Sequence, residues 1–195
     1  MANTITGRDY QLKWQDFAGP VPANRGSSVA FTSASYTLNY SVAQAYAAIG
    51  IRVPDAQNNL GYVVTNLRIA VAPNRPRMWS VQSARTNDLL KHEQGHYDIV
   101  ALIADELFND LLSPPSVMTT AAAVQSFVNI RKAAADRLMD ALQSNATRDG
   151  LYDTSTNHGL TTAQQTRWNR AFANSRPPLG MRFSLALDAE GIRVP

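Results

Sequence analysis

With 195 residues and no cysteine, the chain is long enough for one domain with a sizeable core, and any transition metal would have to be held by His and carboxylates rather than thiolates. A hydrophobic share of 45% against 17% charged excludes large-scale disorder, and the formal charge of +3 comes from scattered Lys and Arg that form no run able to track phosphates, which argues against nucleic acid. No apolar stretch is long enough to span a bilayer, and the opening MANTITGRDY lacks the basic-then-apolar order of a signal peptide.

Residues 1–82 read as mainly β. From Ser27 to Val42 small and aromatic residues alternate, with Val29 and Phe31 on one phase and Tyr36, Leu38, Tyr40 and Val42 on the other. That phase change requires a bulge or turn near Ser33 to Ser35. In residues 60–72, Val63, Leu67, Ile69 and Val71 share one face and Asn66 and Arg68 the other, the pattern of a half-buried strand. Pro73, Asn74 and Pro76 break it, and a short apolar segment follows around Met78 to Val81.

At residue 86 the period becomes helical. Thr86 or Asn87 can cap a helix over 86–113 whose stripe is Leu89, His92, His96, Ile99, Ile103 and Leu107, ended by Ser113, Pro114 and Pro115. A second helix is expected over 119–145, burying Val124, Phe127, Val128, the stem of Arg131, Ala135, Leu138 and Leu142. Residues 146–160 are polar and read as a loop. A helix over 161–174 follows, with Gln165 positioned to close a capping box. The tail MRFSLALDAEG alternates and is expected to return as a strand. The fold class is therefore α+β over a single domain, 1–195: an N-terminal antiparallel or mixed sheet packed on the first helix, then further helices and a C-terminal strand.

The string HEQGH, residues 92–96, lies inside the first helix. Imidazoles four positions apart project from one helix face and can both reach one Zn²⁺ at about 2.0–2.1 Å. Glu93 is rotated about 100° from His92, so it flanks the ion and can act as general base toward a water that the ion activates. Gly95 weakens a helix interior by roughly 1 kcal/mol relative to Ala, which calls for a packing reason such as a closely approaching strand. The bland alternative, an amphipathic helix whose histidines match by accident, is weakened by there being 3 histidines in all, two of them in this pair.

A catalytic zinc takes three protein ligands and keeps one position open. Glu106 lies about 15 Å further along the helix and Asp98 points away, so the third ligand must come from elsewhere. The segment YDTSTNHG, residues 152–159, offers His158 and Asp153. Imidazole suits zinc, and His158 has no evident structural task, so it is preferred, with Asp153 orienting a ligand imidazole. Tyr152 is a candidate donor to the oxyanion of a tetrahedral intermediate, or else a loop tyrosine packed on the domain; Tyr97 reads as core or sheet-facing.

Four ordered blocks, LKWQDFAGPVP, IAVAPNRPRMWSV, LLKHEQGHYDI and YDTSTNHG followed by Gln164 or Gln165 and Trp168, resemble a bacterial family described as secreted zinc-dependent proteases and catalogued as DUF922. The resemblance implies a zincin-like fold, peptidase activity on a peptide or protein substrate, and a secreted or periplasmic address, whereas no signal peptide is expected in this chain. His158 and Gly159 ahead of a helix are also similar to the third-ligand segment of SprT-type metallopeptidases, which favours His158 further. Trp14, Asp16 and Phe17 read as a structural clasp between the N-terminus and the sheet. The expectation is a monomeric zinc metallopeptidase with His92, His96 and His158 as ligands and Glu93 and Tyr152 as catalytic groups. The rival is a zincin-fold binding module with a structural metal, against which Glu93 counts, since a purely structural site has no use for it. A SprT-like enzyme working near nucleic acid is a third reading, and the lack of a basic cluster counts against it.

Overall fold

A computed structural model describes residues 3–45, 61–113, 118–144, 148–176 and 180–194. Its architecture is α+β, with a small mixed sheet and a second strand pair beside five helices among the described residues. Strands β1 (Thr4–Thr6), β3 (Ala34–Gln44) and β4 (Tyr62–Pro73) form the sheet in the order β1-β4-β3, with β1 parallel and β3 antiparallel to β4. Strands β2 (Ala30–Phe31) and β5 (Trp79–Ser80) pair separately, antiparallel. The expected break between two phases falls at Thr32 and Ser33, between β2 and β3.

Alternation predicts most of β4 but not its start. Leu67, Ile69 and Val71 are buried and Arg68 is exposed. Asn66, however, has φ 51°, and the register passes from Asn39 opposite Arg68 to Ser41 opposite Thr65. Two residues of β4 thus oppose Tyr40 alone, a bulge that Asn tolerates better than most because its short polar side chain suits the left-handed region. Beyond the bulge the faces exchange, so Val64 rather than Val63 packs against the core.

Helix α1 (Asn87–Leu112) starts at Thr86, whose side chain accepts from the Leu89 amide. It buries Ile99, Ile103 and Leu107 together with both histidines, and it packs against β3, β4 and three other helices. Tyr97 reaches the sheet, its hydroxyl donating to the Gly7 carbonyl just after β1 at 2.6 Å and lying 3.4 Å from the Val71 carbonyl of β4. Helix α2 (Ala121–Leu142), capped by Thr120, buries Val124, Val128, Ala135 and Leu142, while Arg131 lies over the Phe127 ring. No helix among the described residues is long and apolar enough to cross a membrane.

Three expectations for the C-terminal third are corrected. Part of the expected loop is helix α3 (Leu151–Thr156), closed by Asn157 in the left-handed conformation; apart from Leu151 its residues are poor helix formers, and burial of Tyr152, Asp153 and Thr156 stabilises it instead. Helix α4 (Thr162–Ser175) forms, but Thr161 makes no side-chain cap and Gln165 is turned toward α1. The tail is not a strand: Phe183–Ala189 is helix α5, burying Phe183, Ala186 and Leu187 at helical spacing. Its first free amides, Phe183 and Ser184, face Glu106 Oε2 at 3.0 and 3.5 Å, a carboxylate well suited to a helix N-terminus.

The N-terminal segment is clasped to the turn after β4 and to α1. Asp16 is buried, accepts from the Tyr10 hydroxyl and the Lys13 amide, and pairs with Arg75 just beyond β4. Gln94 on α1 binds the same segment, accepting from the Leu12 amide and donating to the Tyr10 carbonyl.

Candidate metal centre

His92 and His96 lie one turn apart on α1, and their rings meet edge to face with centroids 5.0 Å apart. Helix α3 lies across them. From it Asp153 Oδ1 stands 2.9 Å from His92 Nε2 and 3.1 Å from His96 Nε2, and the ligand atoms of these three buried residues all lie within 4.8 Å of one another. The other Asp153 oxygen accepts from Ser144 Oγ. Behind the rings, His92 Nδ1 faces Gln165 Oε1 at 3.1 Å and His96 Nδ1 faces Gln143 Oε1 at 2.8 Å.

Asp153, and not His158, is grouped with His92 and His96. Because 151–156 is helical, Asp153 projects into the cluster, while His158 falls just beyond in a turn where Asn157, His158 and Gly159 have φ of 49°, 52° and 82°. The His158 side chain is 51% exposed, with Nδ1 3.5 Å from Asp153 Oδ1 and Nε2 3.7 Å from Asp149.

Tyr152 is fully buried, stacked on His92 at 4.7 Å and edge-on to His96. Its hydroxyl donates to the His92 carbonyl at 3.1 Å and contacts Gln165. The phenol is thus engaged through its hydroxyl and lies against both imidazoles. It also explains Gly95: a Cβ there would come within 2.1 Å of the Tyr152 hydroxyl, so the close approach comes from an aromatic ring and not from a strand.

The local electrostatics favour a cation. Burial alone would lower the His96 pKa, but the charge and hydrogen bond of Asp153, with Glu93 and Gln143, raise it to about 9. Burial alone would raise Asp153, yet His96, His92 and Ser144 hold it far below the usual carboxylate range. Among the described residues, the ion pairs of Asp153 are with histidines. Glu93 is 3% exposed and its Oε2 has no hydrogen-bond partner among the described residues. A buried carboxylate oxygen without a donor is costly unless a positive charge compensates it. The donor set and the partnerless oxygen therefore both fit a bound metal ion.

A family model described as a bacterial protein of unknown function, DUF922, matches residues 3–159. The chain belongs to the DUF922 family. That stretch contains β1 through α3, hence His92, Glu93, His96, Asp153 and His158, while α4 and Gln165 of this DUF922 chain lie outside it. No curated protein and no solved structure matches the chain.

The sequence reading passed over Gln143, Ser144 and the part Gln165 plays. Gln143 is the residue that ends α2, and a Gln at a helix end carries no local sign that it will meet a histidine 47 positions away.

Proposed function

We propose that the chain is a zinc-dependent peptidase with a zincin-like arrangement in one domain, with His92, His96 and Asp153 as ligands and Glu93 as general base. The observation that carries this reading is the Glu93 carboxylate, buried with a bare Oε2 one residue from a convergent His-His-Asp set. When bound, zinc supplies Lewis acidity, lowering the pKa of water toward neutrality and polarising a peptide carbonyl. Glu93 Oε2 takes the proton from the attacking water and delivers it to the departing amine, so no covalent intermediate is needed. Tyr152 holds the His92 turn of α1 in place, and its stacked ring keeps water from beneath the imidazoles. His158 stands on the solvent side of Asp153, within reach of a substrate. Peptide as the substrate class rests on the HExxH pattern and the resemblance it belongs to.

One observation favours a second reading. His92, Glu93, His96 and Asp153 are each less than a tenth exposed, as in a metal site that supports structure alone. Glu93→Gln separates the two. The peptidase reading expects about one zinc per chain in both proteins and turnover of an unstructured protein substrate lowered by about 10²–10⁴-fold in the variant. A wild-type protein that loads zinc and cleaves nothing would leave the structural reading standing.

A further inference from the structure

We infer that Gln143 and Gln165 are positioning residues of the metal centre: each fixes one ligand imidazole with its proton on Nδ1, so that both Nε2 lone pairs are directed at the same point. The inference rests on the reading that His92, His96 and Asp153 hold an ion, and it names what aims them.

The direction of each bond follows from the donors and acceptors around it. Gln143 Nε2 lies 2.6 Å from the His96 carbonyl. Only a donor can face a carbonyl oxygen, so the amide group must occupy that side and Oε1 must face His96 Nδ1, 2.8 Å away. An amide oxygen only accepts, which requires the ring proton on Nδ1. The second case is built from different elements. The Tyr152 hydroxyl lies 2.8 Å from Gln165 Nε2 and 3.2 Å from Oε1; its one proton goes to the His92 carbonyl at 3.1 Å, so it accepts from Nε2, which leaves Oε1 for His92 Nδ1 at 3.1 Å.

Each histidine is thus held at two points, its ring nitrogen and its own backbone carbonyl, by a glutamine from outside α1. Gln143 does this alone from the end of α2; Gln165 does it from α4 with Tyr152 as intermediary. Packing by itself has no need for the same two-point hold twice from unrelated elements. Ligand imidazoles do need it, since a histidine free to change tautomer or rotate presents a proton where a lone pair is required. The holding groups are neutral, so the imidazoles are aimed without the extra basicity that a carboxylate would give them.

The test uses zinc and Co²⁺ with the full chain. Long-range ¹H–¹⁵N spectra of zinc-loaded wild type should show the ring proton on Nδ1 of both His92 and His96. Gln143→Met and Gln165→Met should each lower zinc affinity about 10–100-fold in competition with a chromogenic chelator, and alter the visible spectrum of the Co²⁺ form. Gln165→Glu, which keeps the acceptor, should restore affinity to the wild-type level or above. Met variants that load within about twofold of wild type, or ring protons found on Nε2, overturn the inference while leaving the metal site intact. Wild type that takes up neither ion overturns both. Should a Met variant fail to fold, the wild-type proton positions and the Gln165→Glu affinity decide the matter.

Discussion

The candidate metal centre is assembled from two regions of opposite character. One is α1, a helix of 26 residues with a side-chain cap, an apolar stripe and both histidines a turn apart. The other is residues 148–161, where a helix of 6 residues without a side-chain cap is followed by a left-handed turn. The first is specified by its own periodicity, and tertiary packing only confirms it. The second exists because of what it touches: Tyr152 against the two rings, Asp153 between their nitrogens and Ser144, and Trp168 Nε1 donating to Ser155. A site divided this way has a stiff half that aims and a dependent half that completes.

The sharpest way to break this comparison lies in the dependent half. Asp153→Ala should lower zinc affinity by roughly a hundredfold or more, beyond what loss of an outer contact costs, while His158→Ala should stay within about threefold of wild type. Isothermal titration with zinc reads both, and the opposite ranking would return the third ligand to His158. Next in size is Gly95→Ala. The added methyl meets the Tyr152 hydroxyl, and overpacking of this sort costs about 1–3 kcal/mol, against about 1 kcal/mol regained in helix propensity. Chemical denaturation should show a net loss with zinc uptake weakened, because the displaced ring belongs to α3. A variant more stable than wild type would mean that the two halves are not in such close contact.

The smallest effect is in pH. In the metal-free protein His96 is raised from 6.5 to about 9, so its stabilising contribution is complete below about 6.5 and is lost as pH rises through about 9. Asp153 is depressed, so its contribution holds above the ordinary carboxylate range and is lost as pH falls toward its lowered value. A bound ion competes with the His96 proton. The gain in melting temperature on adding zinc should therefore widen from pH 6 toward pH 9; a gain independent of pH would remove His96 from the ligand set.

Legibility in the sequence follows the same division. Thr86, the stripe of α1, Leu67, Ile69 and Val71 could all be read because each depends on neighbours a few positions away. Val63 was misplaced by Asn66, whose side chain does not announce a positive φ. The tail FSLAL fits a strand and a helix equally over so short a run, and the deciding partner, Glu106, lies 77 positions from Phe183. Asp153 and His158 were both recognised as candidates. Which of them would lie between the two imidazoles could not be read, because it depends on whether residues 151–156 coil, and that depends on the rings beneath them. Gln143 was invisible for the same reason: its role exists only after α2 has been laid beside α1.

The turn at Asn157, His158 and Gly159 links Asp153 to Gln165 through nearly one revolution of the wrong screw sense. L-amino acids resist that handedness by about 1–2 kcal/mol per residue, with Gly exempt and Asn partly so, and a Cβ at Gly159 would press on His92 at 3.0 Å. The connection is therefore a wound spring whose two ends are pinned on neighbouring histidines. An ion held by His92, His96 and Asp153, as proposed, would fasten one end of it to α1.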